Sequence, residues 1–216
     1  MSDWNETEAR TQAAGLYREL GRHGLCPGRA GNVSLRTPHG MIVTPSGAAP
    51  EEVKAEDIVA IALDGHPLGA GVPSSEWLMH ARIYQAFPQA RCVVHTHAEA
   101  CSALACLRER LPPFHYMVLA FGGEDVRCTP YVTFGTPALA EAAVRALQDR
   151  TACLLANHGM NLHAAEASQA LAAALVLESL ARQYLLARTA GTPHLLTADE
   201  VREARERFRS YDAGLG

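Results

Sequence analysis

The sequence predicts a single α/β domain over residues 1–216, a mixed and largely antiparallel sheet covered by helices. Three observations predict it. Short strand-like runs separated by turn signals crowd the N-terminal part, apolar runs then alternate with amphipathic helical stretches, and no Pro/Ser-rich linker or internal repeat interrupts the chain. An apolar fraction of 48% with 19% charged residues is ordinary for one well-filled core.

The first element is an amphipathic helix from about Glu6 to His23, apolar at Ala13, Leu16, Tyr17 and Leu20, with Gly24 placed to end it. The runs NVSLR, GMIVT and DIVAIAL follow as a meander, punctuated by TPHG, TPSG and LDGHP. SSEWLMHARIYQAFP has serines at its start, an acid in its first turn and Pro88 beyond its end, which is helix punctuation. The strand ARCVVHTH comes next, then a helix from about Ala98, a strand RCTPYV over 127–132, a capped helix TPALAEAAVRALQDR, and a strand ACLLANHG. Ala165 to Arg188 is a long Ala- and Leu-rich helix, and a last helix is capped by Thr197, with Glu200 three residues on, and runs to about Tyr211.

Composition excludes several functions. The formal net charge is −4 with no basic run, so nucleic acid is not an expected partner. The acidic N-terminus does not read as a signal peptide and no window approaches 18 uninterrupted apolar residues, so a cytoplasmic location with no membrane partner is expected. Six cysteines form no CxxC pair and read as small buried hydrophobes. Eighteen arginines accompany a single lysine, Lys54, set in the charged stretch EEVKAEDI. A Schiff-base enzyme needs a desolvated lysine, so carbonyl chemistry here has to use something else. GRAGNVSLR runs into a strand, whereas a dinucleotide glycine loop opens a helix.

Chemistry concentrates in four places. His95 and His97 lie two apart at the end of an apolar run, so in a strand both imidazoles face one side and Thr96 the other. Such a pair is either a hydrogen-bonded strand end or the start of a metal site. His158 ends a second buried run, and strand ends gathered on one sheet edge would make a three-histidine set with an open position, a catalytic rather than structural zinc pattern. Glu76 begins its helix, where a carboxylate is favoured by the dipole alone; behind Ser74 and Ser75, whose hydroxyls and nearby N–H groups suit an anion, it could also face that anion's owner.

With AGNVSLR, TPSG, SSEW, HTH and ANHG in that order, the chain resembles the class II aldolase/adducin family, and within it the L-fuculose-1-phosphate aldolases, over nearly its whole length. The resemblance implies that His95, His97 and His158 ligate zinc, or another divalent ion such as Mn2+ or Co2+. Glu76 is implied as a fourth ligand that becomes the acid/base when substrate displaces it. It implies that Gly31, Asn32, Ser46, Gly47, Ser74 and Ser75 hold the phosphate of a small phosphorylated sugar. It further implies a homotetramer with sites between subunits and a catalytic tyrosine from the neighbour. Tyr116 in PPFHYMV stands where that tyrosine is expected; His115 is a weaker candidate for the aldehyde pocket, and Tyr211 could close over substrate.

The implied reaction is reversible cleavage of a ketose 1-phosphate to dihydroxyacetone phosphate and an aldehyde, with zinc as the Lewis acid that replaces a lysine imine. Tyr116 would take the C4 hydroxyl proton and Glu76 would protonate C3. Phe114 and Met117 suggest an apolar tail pocket, which suits 5-deoxy and 5-methylthio pentuloses as well as fuculose. Within the family, a methylthioribulose-1-phosphate dehydratase keeps the same residues, whereas a pentulose-phosphate 4-epimerase has an aspartate where Glu76 stands. A non-catalytic adducin-like module should lose the metal and acid residues, which this chain keeps.

Overall fold

Alternation of side chains along the strands sorts this chain into two apolar layers, one on each face of a single sheet. The computed structural model describes residues 5–213, with side chains as far as Phe208. The strands are β1 Asn32–Thr37, β2 Gly40–Val43, β3 Val59–Ile61, β4 Cys92–Thr96, β5 Arg127–Cys128, β6 Ala152–Leu155 and β7 Gly159–Ala164. Their order is β3-β2-β1-β4-β7-β6-β5. Only β5 and β6 run parallel; every other neighbouring pair is antiparallel.

The helices are α1 Glu6–Arg22, α2 Trp77–Ala86, α3 Glu99–Cys106, α4 Pro137–Ala146, α5 Ala167–Ala190 and α6 Ala198–Ala213. Helices α1, α3 and α5 cover the face that carries Val33, Leu35, Cys92, Val94, Leu154 and Leu162. Helices α2 and α4 cover the other, which carries Met41, Val43, Val93, Cys153 and Leu155. His95 shares the parity of Val93 and therefore faces the α2 side. The expected mixed, largely antiparallel sheet covered by helices is what the chain forms.

Several boundaries differ from the sequence reading, each for a local reason. The strand expected over 127–132 pairs only at Arg127–Cys128: Thr129 donates to the Leu154 carbonyl, and Pro130 has no N–H with which to continue. β7 was not foreseen. Its run GMNLHA puts Asn161 and His163 on the buried α2 side, so it lacks the apolar signature of an interior strand. The segment ANHG is consequently the turn of a β6–β7 hairpin, and His158 sits in that turn rather than on a strand end. A 3-10 helix, Tyr116–Phe121, was also unforeseen. Glu76 is the N-cap of α2, one position before its first turn.

Most of the other expectations hold. Cys26, Cys92, Cys101 and Cys153 are buried thiols, whereas Cys128 is half-buried and Cys106 exposed at the end of α3, against the reading of all six as buried; the Lys54 ammonium is exposed beside Glu56. α5 is long and apolar enough by composition to cross a membrane, yet it lies against the sheet with Ala170, Ala174, Leu177 and Leu180 buried. It also carries a buried carboxylate, Glu178, which accepts hydrogen bonds from the Ala100 and Cys101 amides at 2.8 and 2.9 Å. These are orphan donors at the start of α3, where negative charge complements the helix dipole. The bond ties the segment that follows His97 to the core.

Tyr17 performs a comparable task from α1. Its hydroxyl lies 3.1 Å from both the Gly31 and the Ala48 carbonyls, so one buried side chain joins the loop before β1 to the loop after β2. Replacing Tyr17 with Phe leaves both carbonyls without that donor, and the urea midpoint is expected to fall by the equivalent of about 1–2 kcal/mol with an unchanged slope. An unchanged midpoint would show that the bridge contributes nothing to stability.

Candidate metal and substrate site

β4 sits between β1 and β7, which pairs His95 with Asn32 on one side and Asn161 on the other. The His95 side chain is fully buried, and its Nδ1 lies 2.9 Å from the Met160 carbonyl. A carbonyl can only accept, so Nδ1 carries a proton there and Nε2 is the nitrogen turned toward the cluster. That nitrogen is 3.0 Å from His97 Nε2 and 3.1 Å from Glu76 Oε2, while His158 Nε2 stands 3.5 Å from Glu76 Oε1. The three rings are 4.7–4.9 Å apart and steeply inclined to one another, at 67–83°.

Stacked or isolated histidines do not take this form. Ligand atoms of all four residues fall within 4.8 Å of one another. A tetrahedral ion with bonds of about 2.0–2.1 Å sets its ligands roughly 3.4 Å apart, and the closest pairs here bracket that value. Glu76 is 7% exposed, and its Oε1 has no hydrogen-bond donor among the described residues, although a buried carboxylate oxygen ordinarily has one. The donor set and the orphaned oxygen both fit a divalent cation.

Electrostatics hold the group in the protonation state that such an ion needs. Burial alone would raise the Glu76 carboxyl, but the charge and hydrogen bond of His95, helped by His158 and the Asn32 amide, outweigh it and hold the group well below the usual carboxylate range. Asn32 Nδ2 donates to Glu76 Oε2 at 3.3 Å. Burial lowers His97 and His158 to about 4, and the like charge of His95 adds to the shift. Glu76 is thus held as a carboxylate, and His97 and His158 as neutral imidazoles.

Two glycines allow the close approach. A Cβ on Gly159 would lie 2.2 Å from the Thr96 carbonyl oxygen, so only glycine lets the hairpin bring His158 beside His97. Gly31 has φ +93°, and a Cβ there would lie 2.9 Å from the His95 carbonyl oxygen.

The cluster forms one end of a cleft of about 420 Å³. Gly31, Asn32, Ser46, Gly47, Ser74 and Ser75, the residues expected to hold phosphate, all line the same cleft. The expected supply of free amides needs correction: Ser46 N–H donates to Val72, Ser74 N–H to Thr44, and Glu76 N–H to Ser74 Oγ. The Ser46 and Ser75 hydroxyls and the Gly47 amide have no partner among the described residues. The anion end therefore offers hydroxyls together with the loop N–H groups of Gly31, Gly47 and Ser75, which are not engaged among the described residues.

Other expected residues lie elsewhere. Tyr116 is 53% exposed, packs 6.0 Å from Phe208 of α6, and is not part of its own chain's cleft. His115 Nδ1 accepts from Met117 N–H and so caps the 3-10 helix instead of lining a pocket. Phe114 and Met117 are half-buried and pack on the core, Phe114 against Tyr184, and neither lines the cleft of its own chain. Tyr211 belongs to α6, but its side chain lies outside the described residues. Sequence reasoning missed Tyr131, Val132 and Phe134, which line the cleft because the strand assigned to them ends at Cys128. It also missed Arg29, and Asn157, whose φ of +55° makes the turn that presents His158.

A largely antiparallel α/β domain with a three-imidazole, one-carboxylate cluster beside a hydroxyl-lined anion cleft has the form of a metal-dependent lyase. Residues 11–185 match the family model described as class II aldolase and adducin N-terminal domain, and the chain belongs to that family. It is 41% identical over 194 residues to the 5-methylthioribulose-1-phosphate/5-deoxyribulose-1-phosphate aldolase of Rhodospirillum rubrum, covering 90% of this chain and 88% of that protein. It is also 41% identical to the L-fuculose phosphate aldolase of Escherichia coli K12, with 89% and 90% covered. A solved structure of an L-fuculose 1-phosphate aldolase superposes with a TM-score of 0.90 at 35% identity, covering 97% of this chain and all of that one.

The lowered histidines fix a pH dependence. Their folded values of about 4 lie below the ordinary 6.5, so their contribution to stability is complete above 6.5 and is lost as pH falls toward 4. Protons accordingly compete with a bound cation only near the lower value. Protein loaded with metal and dialysed at about pH 6 is expected to keep its ion, and at about pH 4 to lose it, as read by atomic emission. Loss centred near 6.5 would contradict the depressed values.

Proposed function

We propose that this chain is a zinc-dependent class II aldolase that cleaves a ketose 1-phosphate to dihydroxyacetone phosphate and an aldehyde. The observation that carries the reading is that one cleft contains both a cation-competent cluster, Glu76 with His97 and His158 over buried His95, and a set of neutral donors suited to a phosphate. Names of relatives support the substrate class: fuculose phosphate, 5-methylthioribulose 1-phosphate and 5-deoxyribulose 1-phosphate aldolases. The wall of Tyr131, Val132 and Phe134 favours a sugar that ends in a small apolar group.

In this reading His95, His97, His158 and Glu76 hold the zinc ion, and Mn2+ or Co2+ would fit the same nitrogen and oxygen donors. When bound, the ion supplies Lewis-acid polarisation of the substrate carbonyl. Gly31, Asn32, Ser46, Gly47, Ser74 and Ser75 grip the phosphate and fix which carbon faces Glu76. Tyr116 of a neighbouring subunit accepts the C4 hydroxyl proton; its exposure and its distance from its own cleft support a homotetramer with sites between subunits. The C3–C4 electron pair stays with the phosphorylated fragment, and C3 is protonated by Glu76, which would give up its ligand position when substrate binds and take up that proton from solvent. Lys54, exposed and outside the cleft, leaves no imine alternative. A cytoplasmic location is part of the same proposal.

The test is release of dihydroxyacetone phosphate, by a coupled reductase, from fuculose, rhamnulose, 5-deoxyribulose and 5-methylthioribulose 1-phosphates. Release that a chelator abolishes and added zinc restores is the expected result. No release from any of the four by zinc-loaded protein would overturn the reading in favour of a dehydratase or epimerase.

Glu76→Gln is expected to keep its fold and its affinity for inorganic phosphate while turnover falls by about 10²–10⁴-fold, the usual worth of a general acid/base. Undiminished turnover would remove Glu76 from the mechanism.

A further inference from the structure

The donors assigned to the phosphate are all neutral, yet a phosphate monoester arrives with close to two negative charges. Among the described residues, the one lysine or arginine that lines the cleft is Arg29, in the loop before β1. Its Nη1 donates to the Gly47 carbonyl at 2.8 Å, which holds the guanidinium at the loop that carries Ser46 and Gly47. Nη2 is 4.0 Å from Glu52 Oε2, beyond hydrogen-bond distance, and the side chain is 66% exposed. A guanidinium has five N–H donors in a planar fork, so one bond to Gly47 leaves the rest available.

Gly47 adds a second observation. It has φ +69° and nothing within 4 Å of where a Cβ would stand, so the backbone is shaped for an open surface next to the guanidinium. A second hollow, of about 470 Å³, shares Arg29, Pro45, Ser46 and Gly47 with the cleft and carries Glu52, Glu56 and Asp57 on its far side. The arginine thus stands on the wall between the cleft and an acidic hollow, with Glu52 as a weak ion-pair partner.

We infer that Arg29 is the charged member of the phosphate site: it turns from Glu52 to the substrate's phosphate and makes the cleft selective for a dianionic phosphate monoester over an unphosphorylated ketose. This rests on the proposed function for the identity of the substrate, but not for the presence of an anion site. The bond to Gly47 lets the guanidinium reach the phosphate without leaving the loop, so Arg29 reports on the same carbonyl that shapes the pocket.

The test uses the zinc-loaded full-length protein and inorganic phosphate, followed by titration calorimetry. Arg29→Ala is expected to weaken phosphate binding about tenfold, in the range of a lost hydrogen bond to a charged group, with Arg29→Lys intermediate and the remote Arg82→Ala unchanged. Glu52→Gln should tighten phosphate binding in the wild-type background and do so less when Arg29 is absent, a coupling that a purely structural role for the Gly47 bond would not produce. With phosphorylated ketose, the loss should fall on KM. Equal phosphate affinity in wild type and Arg29→Ala, or no phosphate binding in either, overturns the inference and leaves the aldolase reading standing. Loss of phosphate affinity in Arg29→Ala alongside failure of every sugar phosphate to be cleaved upholds the anion role and removes the aldolase reading.

Discussion

The register of β4 against β7 is the constraint on which the site depends. Thr96 pairs with Met160, and the Met160 carbonyl is what fixes the His95 tautomer. The same pairing ends at Gly159, where the absence of a side chain lets the hairpin turn close over Thr96 and deliver His158. A slip of one residue would turn His95 to the α3–α5 face and leave a buried apolar side chain in its place. The apolar layers on both faces oppose that slip, so the packing that stabilises the sheet also fixes the cluster's geometry.

Burial of four ionisable groups together is costly unless their charges are arranged to cancel. Here Glu76 is held as a carboxylate and His97 and His158 as neutral rings, which leaves a negative charge facing nitrogens that can present lone pairs. A divalent cation would relieve that arrangement. Beneath the cluster, His80 is fully buried, with Nδ1 2.7 Å from Ser34 Oγ and Ser34 Oγ 2.9 Å from the Tyr84 hydroxyl. Burial, with the charge of His95 adding to it, pushes His80 down to about 3, so α2 packs on the sheet with a neutral ring and adds no positive charge beneath the site.

Much of this was legible in the sequence because the informative residues carry local rules. Turn residues marked the edges of β1 and β2, Thr136 and Thr197 marked the starts of α4 and α6, and the two-residue spacing of His95 and His97 stated their common face. The convergence of His158 and Glu76 on that pair depends on pairings between distant segments; strand ends gathered on one sheet edge suggested His158, and the resemblance supplied Glu76 as a ligand. β7 was missed because Asn161 and His163 are polar yet buried beside the site, where the needs of a cluster override ordinary patterning. PPFHYMV is apolar enough to fill either a pocket or a core, and in this chain Phe114 packs on Tyr184 while the cleft is walled by Tyr131, Val132 and Phe134.

The two ends of the cleft are built on different principles. The metal end rests on paired strands and a hairpin whose glycine tolerates no side chain, so its variation is limited by sterics. The anion end rests on loops, Ala30 to Gly31 and Pro45 to Ala49, held to the body chiefly through the Tyr17 hydroxyl and backbone bonds at Ser46 and Ser74. The tail wall is another loop, with Tyr131 and Phe134 more than half exposed. Loop residues can change identity without disturbing the ladder that sets the cluster. Residues such as Tyr131 and Phe134 can therefore vary while the ladder that sets the geometry of His95 and Glu76 stays fixed, which is consistent with one fold serving relatives named for different sugar phosphates.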